Sequence, residues 1–571
     1  VTVRRIAGWV AVVLGVGSIA LASSAGSARS APLFTDATAD SGIEFTNVCG
    51  AAPRGKRYLT ESMGSGAAWL DYDGDGNLDL YLVNGSDYDR KPGQGEPNRL
   101  YRGNGKGGFA DVTKRAGVGD RGWGQGVAVG DIDNDGAPDI YVTNLGANRL
   151  FRNRGDGAFE DITAAAGVGD RGWGSSAAFF DMDGDGDLDL YVANYVDFKR
   201  TQVPAFGTPE AAKKPNCTIQ GIPVFCGPMG LPPQQDVLYR NNGDGTFIDV
   251  TRDAGLFLDK PRFALGVVTA DFDLDGDQDV YVANDSVANS LWRNEGNGKF
   301  VDIGVRSLTA LSGSGRAQAG MGTDFADFDG DGWGDLVVTN FSHDLNTIYR
   351  SQKGKYFIDD SLRQGLGVTR MALSWGTGFH DFDLDGDLDL FIANGHLYPN
   401  VDDYDNGLHY RQRNHLFVRE GGKFHLAPAE GALGLARSYR GAAFGDYDND
   451  GDVDILATAI DDAVVLLRND TPRRGTHLTV QLRPTRSNRD AVGTEVRVTV
   501  DGKTHSRHRK GGGSYLSQSD PRLHFGLGSA KKARVEVRWP SGTVDVLPAV
   551  STGRLVEVVE GKHQKPRPGT R

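Results

Sequence analysis

Asp71-Tyr-Asp-Gly-Asp-Gly-Asn-Leu-Asp79, followed at once by Leu80-Tyr-Leu-Val-Asn84, is the stretch on which the fold turns. Four carboxylates within nine residues repel one another unless a cation sits among them. Oxygen donors at alternating positions suit Ca²⁺, with side chains at positions 1, 3 and 5, a backbone carbonyl at 7 and a carboxylate at 9. The glycine at position 6 frees the backbone for the turn such a loop requires. After position 9 the chain becomes aromatic and aliphatic, which is strand composition.

The phrase occurs seven times, so the sequence predicts up to seven Ca²⁺ ions. The ligand sets are Asp71, Asp73, Asp75 and Asp79; Asp131, Asp133, Asp135 and Asp139; Asp181, Asp183, Asp185 and Asp189; and Asp271, Asp273, Asp275 and Asp279. They continue with Asp327, Asp329, Asp331 and Asp335; Asp381, Asp383, Asp385 and Asp389; and Asp446, Asp448, Asp450 and Asp454. An EF-hand would need a glutamate at position 12 and flanking helices. Position 12 is instead Leu82, Val142, Val192, Val282, Val338, Ile392 or Ala457, inside the strand-like run, so a β-hairpin loop is expected.

Successive loops begin 50 to 65 residues apart, apart from one interval of 90 that carries an insertion at 198–236. Each unit holds four short strand patterns, the content of a propeller blade. The fourth-strand signature appears at Phe34, Phe109, Phe159, Phe247, Phe300, Phe357 and Phe424, one step out of phase with the loops. The copy at Phe34 precedes the first loop, and none follows the last. An N-terminal strand that completes the final blade explains this offset, since ring closure removes exposed sheet edges. The expected fold is all-β: a seven-bladed propeller over 32–470, then a small β-sandwich-like domain over 471–560 and a disordered tail over 561–571.

The repeat resembles the FG-GAP/VCBS repeat of integrin α-subunit propellers. Asn488-Arg-Asp-Ala-Val-Gly493, Gly513-Ser-Tyr-Leu-Ser-Gln518, Leu523-His-Phe-Gly-Leu-Gly528 and Trp539-Pro-Ser-Gly542 resemble the ASPIC/UnbV domain that follows such propellers in the cartilage acidic protein 1 family. The resemblance implies secretion and calcium binding. Integrin-type ligand binding carries over only as architecture.

The net charge of −13 is uneven: residues 471–571 carry 20 Lys and Arg against 8 Asp and Glu. The seven loops alone hold 28 Asp at their ligand positions, so the acidity is metal-site charge, and no nucleic-acid motif accompanies the basic region. Arg4 and Arg5 precede an apolar run from Ile6 to Ala22 and a small-residue stretch to Ala31, the layout of a signal peptide over 1–31. Its removal would leave a secreted or cell-surface chain without a membrane span. Cys217 and Cys226 in the insertion are expected to pair, leaving Cys49 free.

The metal loops and the third-to-fourth-strand turns share one face by strand order. The insertion and the segment Asn394 to Tyr404 lie on the other, where irregular loops on a rigid scaffold commonly bind ligands. Trp123, Trp173, Trp375, His396 and Tyr398 are the candidate ligand-face residues, with packing between blades the competing reading for the tryptophans. The chain therefore reads as an exported calcium-binding module for an extracellular protein, a glycan or a small molecule. A propeller enzyme acting on a carbohydrate or specialised metabolite is the alternative, and would need His343, His380, His396 and Tyr398 to converge in one pocket.

Overall fold

The structure, a computed structural model, describes residues 32–564 apart from 53–54, 92, 213–216 and 473–474. The signal-peptide segment therefore lies outside the described residues.

Seven antiparallel sheets follow one another along the chain, each of four strands except the fourth, to which Gly511–Gly512 adds a fifth. Their first strands are Ala67–Leu70, Gly124–Gly130, Gly174–Phe180, Ala264–Ala270, Gly320–Ala326, Ser374–His380 and Tyr439–Gly445. Each contacts the first strand of the next sheet, and Ala67–Leu70 contacts Tyr439–Gly445, so these strands form a closed cycle around a channel. Phe34–Asp36 supplies the fourth strand of the last sheet, pairing Phe34 with Asn469 and Asp36 with Leu467. The closure expected from the offset of the phenylalanine signature is thus made by residues more than 400 positions apart. Apolar side chains from neighbouring sheets interlock, as Trp69, Leu80, Tyr447 and Leu456 do between the first and last. Such burial is the main favourable contribution to folding.

The C-terminal domain packs two sheets around Val480, Val496, Val498, Phe525, Val535, Val537 and Trp539. Its strands include His477–Arg483, Glu495–Val500, Lys503–His508, Leu523–Gly526, Lys532–Arg538, Val544–Ser551 and Arg554–Val559. The first part of the expected disordered tail is ordered: His563 accepts a hydrogen bond from the Val546 amide and donates its own amide to Asp545 Oδ1 at 2.6 Å.

Gly511-Gly-Gly513 has the composition of a turn or bulge. It instead opens a segment, Gly511 to Gln518, that fills the propeller channel. Hydrogen bonds join it to the first strand of every sheet. Gln518 donates to Ala67 O at 2.9 Å, Val127 donates to Leu516 O at 3.1 Å, and Gly513 donates to Val267 O at 2.8 Å. The Leu516 amide donates to Ser176 Oγ at 3.1 Å, and Thr323 donates to Ser514 O at 3.0 Å. Thr377 donates to Ser514 Oγ at 3.1 Å, and that hydroxyl donates to Ala442 O at 2.7 Å. Two glycines make the fit possible. Gly513 has φ +105°, and a Cβ on Gly66 would fall 1.6 Å from Leu516 O. The amides and carbonyls that innermost strands leave unpaired at the axis are thereby satisfied from within the chain.

Candidate functional site

Each Asp-rich loop joins the first and second strands of its sheet. The carboxylates at positions 1, 3 and 9 converge: one oxygen from each of Asp71, Asp73 and Asp79 lies within 4.8 Å of the others, and the same holds for Asp131, Asp133 and Asp139. Asp181, Asp183 and Asp189, then Asp271, Asp273 and Asp279, then Asp327, Asp329 and Asp335 repeat the arrangement, and two further groups bring the total to seven among the described residues.

The loop backbone shows how each carboxylate is aimed. Position 1 caps the turn: Asp71 accepts from the Asp75 and Gly76 amides, both at 3.0 Å. Position 9 joins the loop to the third strand. Asp79 accepts from Tyr72 N at 2.9 Å through one oxygen and from Gly103 N at 2.8 Å through the other. All seven copies repeat this clamp, for example Asp189 with Met182 and Asn241 and Asp454 with Tyr447 and Asn469. Sequence reading assigned position 9 only a metal role and missed this second one. Its signal was available, since position 9 is Asp in all seven copies and a third strand with a free amide to donate always follows. Position 5 forms a local turn instead, as in Asp135 accepting from Ala137 N at 2.8 Å, and is not part of the three-carboxylate groups.

The donor set fits a hard cation. Asp183 Oδ1, Asp273 Oδ1 and Asp448 Oδ1 are buried without a hydrogen-bond partner. Burial raises Asp131 and Asp271 to about 7, and Asp79, Asp139 and Asp381 to about 8. Buried carboxylates that lack a counter-charge are costly in this way, and a bound cation removes the cost. In the first loop Arg102 reaches Asp73 at 2.5 Å and Asp75 at 2.7 Å, and in the fifth Arg350 reaches Asp329 at 4.0 Å.

The C-terminal domain rests on this face. Arg489 N donates to Asn134 Oδ1 at 3.1 Å in the second loop, and Asp131 N donates to Asp490 Oδ2 at 2.6 Å. Lys503 pairs with Asp387 at 2.7 Å in the sixth loop, and Arg522 Nη2 donates to Asp446 O at 2.8 Å in the seventh.

The family model for the FG-GAP-like repeat matches residues 71–142, 131–192, 224–282, 271–338, 327–392 and 381–457. The chain belongs to the FG-GAP-like repeat family. A second model, ASPIC and UnbV, matches residues 484–565 and so includes the segment that fills the channel. Cartilage acidic protein 1 of Homo sapiens is 29% identical over 296 residues, 49% of this chain and 41% of that protein. The Xenopus tropicalis protein of the same name is 27% identical over 49% of this chain and 42% of its own length. This FG-GAP chain thus spans less than half the length of the curated relatives it matches. Among solved structures, a lectin of Agrocybe aegerita that recognises non-reducing terminal N-acetylglucosamine aligns at 18% identity and TM-score 0.38, covering 70% of this chain and 86% of its own. YCF48 bound to D1 peptide aligns at 8% identity and TM-score 0.39, covering 75% and 98%. Likenesses this loose bear on neither ligand nor partner.

On the opposite face of the FG-GAP propeller the five candidate ligand-face residues are all buried. Trp173, Trp375 and Tyr398 belong to one apolar cluster with Met63, Phe225, Tyr515 and Leu516. Trp173 Nε1 donates to Gln125 Oε1 at 3.1 Å, and Trp123 packs on Tyr88 with ring centroids 4.8 Å apart. Trp375 lies between Tyr515 of the channel segment, at 5.0 Å, and the buried guanidinium of Arg440, at 4.1 Å. His396 Nδ1 accepts from Tyr398 N at 3.1 Å. His343 and His396 lie on this face, whereas His380 ends a first strand beside metal-loop residue Asp381. The four residues required for an enzymatic pocket are therefore split between faces.

Cys217 and Cys226 form the expected disulfide, and Cys49 is free and buried. The insertion folds back over the ring: Asn400 Nδ2 donates to Pro223 O at 2.8 Å, and Phe225 packs on Tyr398 at 4.7 Å. Beneath it lies a cavity of about 470 Å³ lined by insertion residues and by Leu59, Tyr195, Asp285, Phe341, Trp375 and Tyr398. Of the candidate aromatics, Trp375 and Tyr398 thus form packed walls of this partly open cavity, while Trp123 and Trp173 do not line it.

Proposed function

We propose that this chain is an exported, Ca²⁺-stabilised FG-GAP binding module whose ligand enters the cavity beneath the disulfide-pinned insertion. The observation that carries this reading is the contrast in accessibility. The metal-loop face is occupied by the C-terminal domain and the channel by its Gly511–Gln518 segment, while the insertion face keeps a roomy, aromatic-walled cavity of the size that holds small ligands. Calcium is the ion of choice because the donors are all oxygen, arranged at EF-like spacing in a loop. Export is supported by the disulfide and by the N-terminal sequence pattern; among the described residues no helix is long and apolar enough to cross a membrane.

The test is a thermal-shift screen of the full chain in calcium against glycans, metabolites and short peptides. Met229, exposed where it lines the cavity, provides the discriminating variant. A ligand whose stabilisation disappears in Met229→Arg and persists in Arg483→Ala on the C-terminal domain is the expected result. Ligands that respond only to the second substitution would overturn the assignment of the binding face.

A further inference from the structure

Among the described residues, the cavity under the insertion contains an acid with no balancing cation. Asp285 Oδ2 accepts from the Tyr195 hydroxyl at 2.5 Å, and Oδ1 accepts from Ser286 Oγ at 2.8 Å. Both donors are neutral, and among the described residues no ion pair reaches this carboxylate. Each oxygen retains acceptor capacity toward the cavity. The other acid of the lining, Asp344, differs because, although burial raises its carboxyl, the guanidinium groups of Arg316 and Arg370 act on it in the opposite direction. No Lys, Arg or His side chain lines the cavity among the described residues.

Around Asp285 the walls are rings: Tyr195, Phe225, Phe341, Trp375 and Tyr398. The disulfide between Cys217 and Cys226 closes a short loop and so holds Val224 and Phe225 in the roof. A carboxylate set among aromatic faces attracts one ligand chemistry above others. The rings offer negative π-faces to a cation, and the carboxylate accepts charge-assisted hydrogen bonds from it. An anion would face an unscreened negative charge, and a neutral polyol would leave that charge uncompensated.

We infer that the cavity is a site for an organic ammonium ion bearing an apolar body, anchored by Asp285. This rests on the reading of the insertion face as the ligand face and assigns the class of ligand to it. The apolar body packs against the aromatic walls and Met321, and the ammonium group lies at Asp285.

The experiment uses the full chain in calcium and three probes that share one body: 2-phenylethylammonium, 2-phenylethanol and phenylacetate, titrated by calorimetry. The cation is expected to bind most tightly and phenylacetate least. Asp285→Asn should weaken the cation about ten- to a hundredfold, the scale of a lost charged hydrogen bond, and leave the alcohol within about twofold. Asp285→Glu, which restores the charge, should recover most of the loss. Melting temperatures of the variants in calcium establish that each is folded. Equal binding of the three probes, no binding of the cation, or an Asp285→Asn variant that binds it normally would overturn the inference. The face itself is judged separately: should the ammonium assignment fail, alcohol binding that Met229→Arg abolishes would still retain the insertion face.

Discussion

The two faces of the propeller use their carboxylates in opposite ways. On the metal-loop face every carboxylate at position 9 accepts one backbone amide from its own loop and one from the third strand, so each loop is a joint of the scaffold as well as a cation site. On the insertion face Asp285 accepts only two neutral hydroxyls and looks onto a cavity. The lesson is that density of charged residues does not mark the ligand site. Twenty-eight aspartates mark the scaffold, and one marks the place where something from outside is recognised.

The largest effect expected from that contrast concerns position 9. Asp139→Ala would strand the buried Ile132 and Asn153 amides, and should destabilise the chain by about 3–5 kcal/mol in urea unfolding even without calcium. Asp135→Ala removes a single exposed turn bond and should cost under ~1 kcal/mol in chelator. Equal costs for the two would erase the distinction between joint and ligand. Next comes the channel segment. Leu516 is buried at the axis, and Leu516→Ala should lower stability by about 2–4 kcal/mol, unfolding propeller and C-terminal domain in one transition. Two separate transitions in calorimetry would show that the segment does not couple them.

Acid offers a smaller, graded test. Burial depresses His396 to about 3 and His415 to about 4, so both are neutral when folded but protonate in the unfolded chain near its ordinary value. The unfolded state then binds more protons, and stability falls as pH drops from about 6.5 toward the folded values. With calcium saturating, each histidine should remove about 1.4 kcal/mol by pH 5.5, and His415→Gln should flatten the pH dependence of the melting temperature by that share. A slope unaltered by the substitution would contradict the burial account. The smallest global effect belongs to the disulfide. Cys217→Ser with Cys226→Ser should leave the melting temperature within about 2 °C, since it closes only a short surface loop, while hydrogen exchange quickens across 217–231. Slow exchange there in the double variant would mean that packing of Phe225 on Tyr398 suffices to hold the roof.

Sequence alone made the loops, the strands after them and the circular offset of Phe34 legible, because each rests on local pattern and on repetition. The four carboxylates at Asp71 to Asp79 could be read by spacing, and the phase of seven phenylalanines indicated how the ring closes. What was not legible depends on contacts between residues far apart in sequence. Gly511 to Gln518 reads as a glycine turn because nothing near it in sequence reveals that its partners are Ala67, Val127, Val267 and Thr323. The burial of Trp173 and Trp375 follows from the same segment and from the folded-back insertion, neither of which leaves a periodic signature. Asp285 escaped notice for a related reason, since a lone aspartate after a strand has no motif and becomes informative only when its neighbours are seen to be neutral.

The most direct test of the central claim is thermal unfolding of the full chain, stripped of metal by chelator and then titrated with Ca²⁺. Several structural sites filled together should raise the melting temperature by about 10 °C or more as calcium passes through the millimolar range. A melting temperature that is the same in chelator and in calcium would contradict the account of the Asp-rich loops as cation-organised joints of the scaffold.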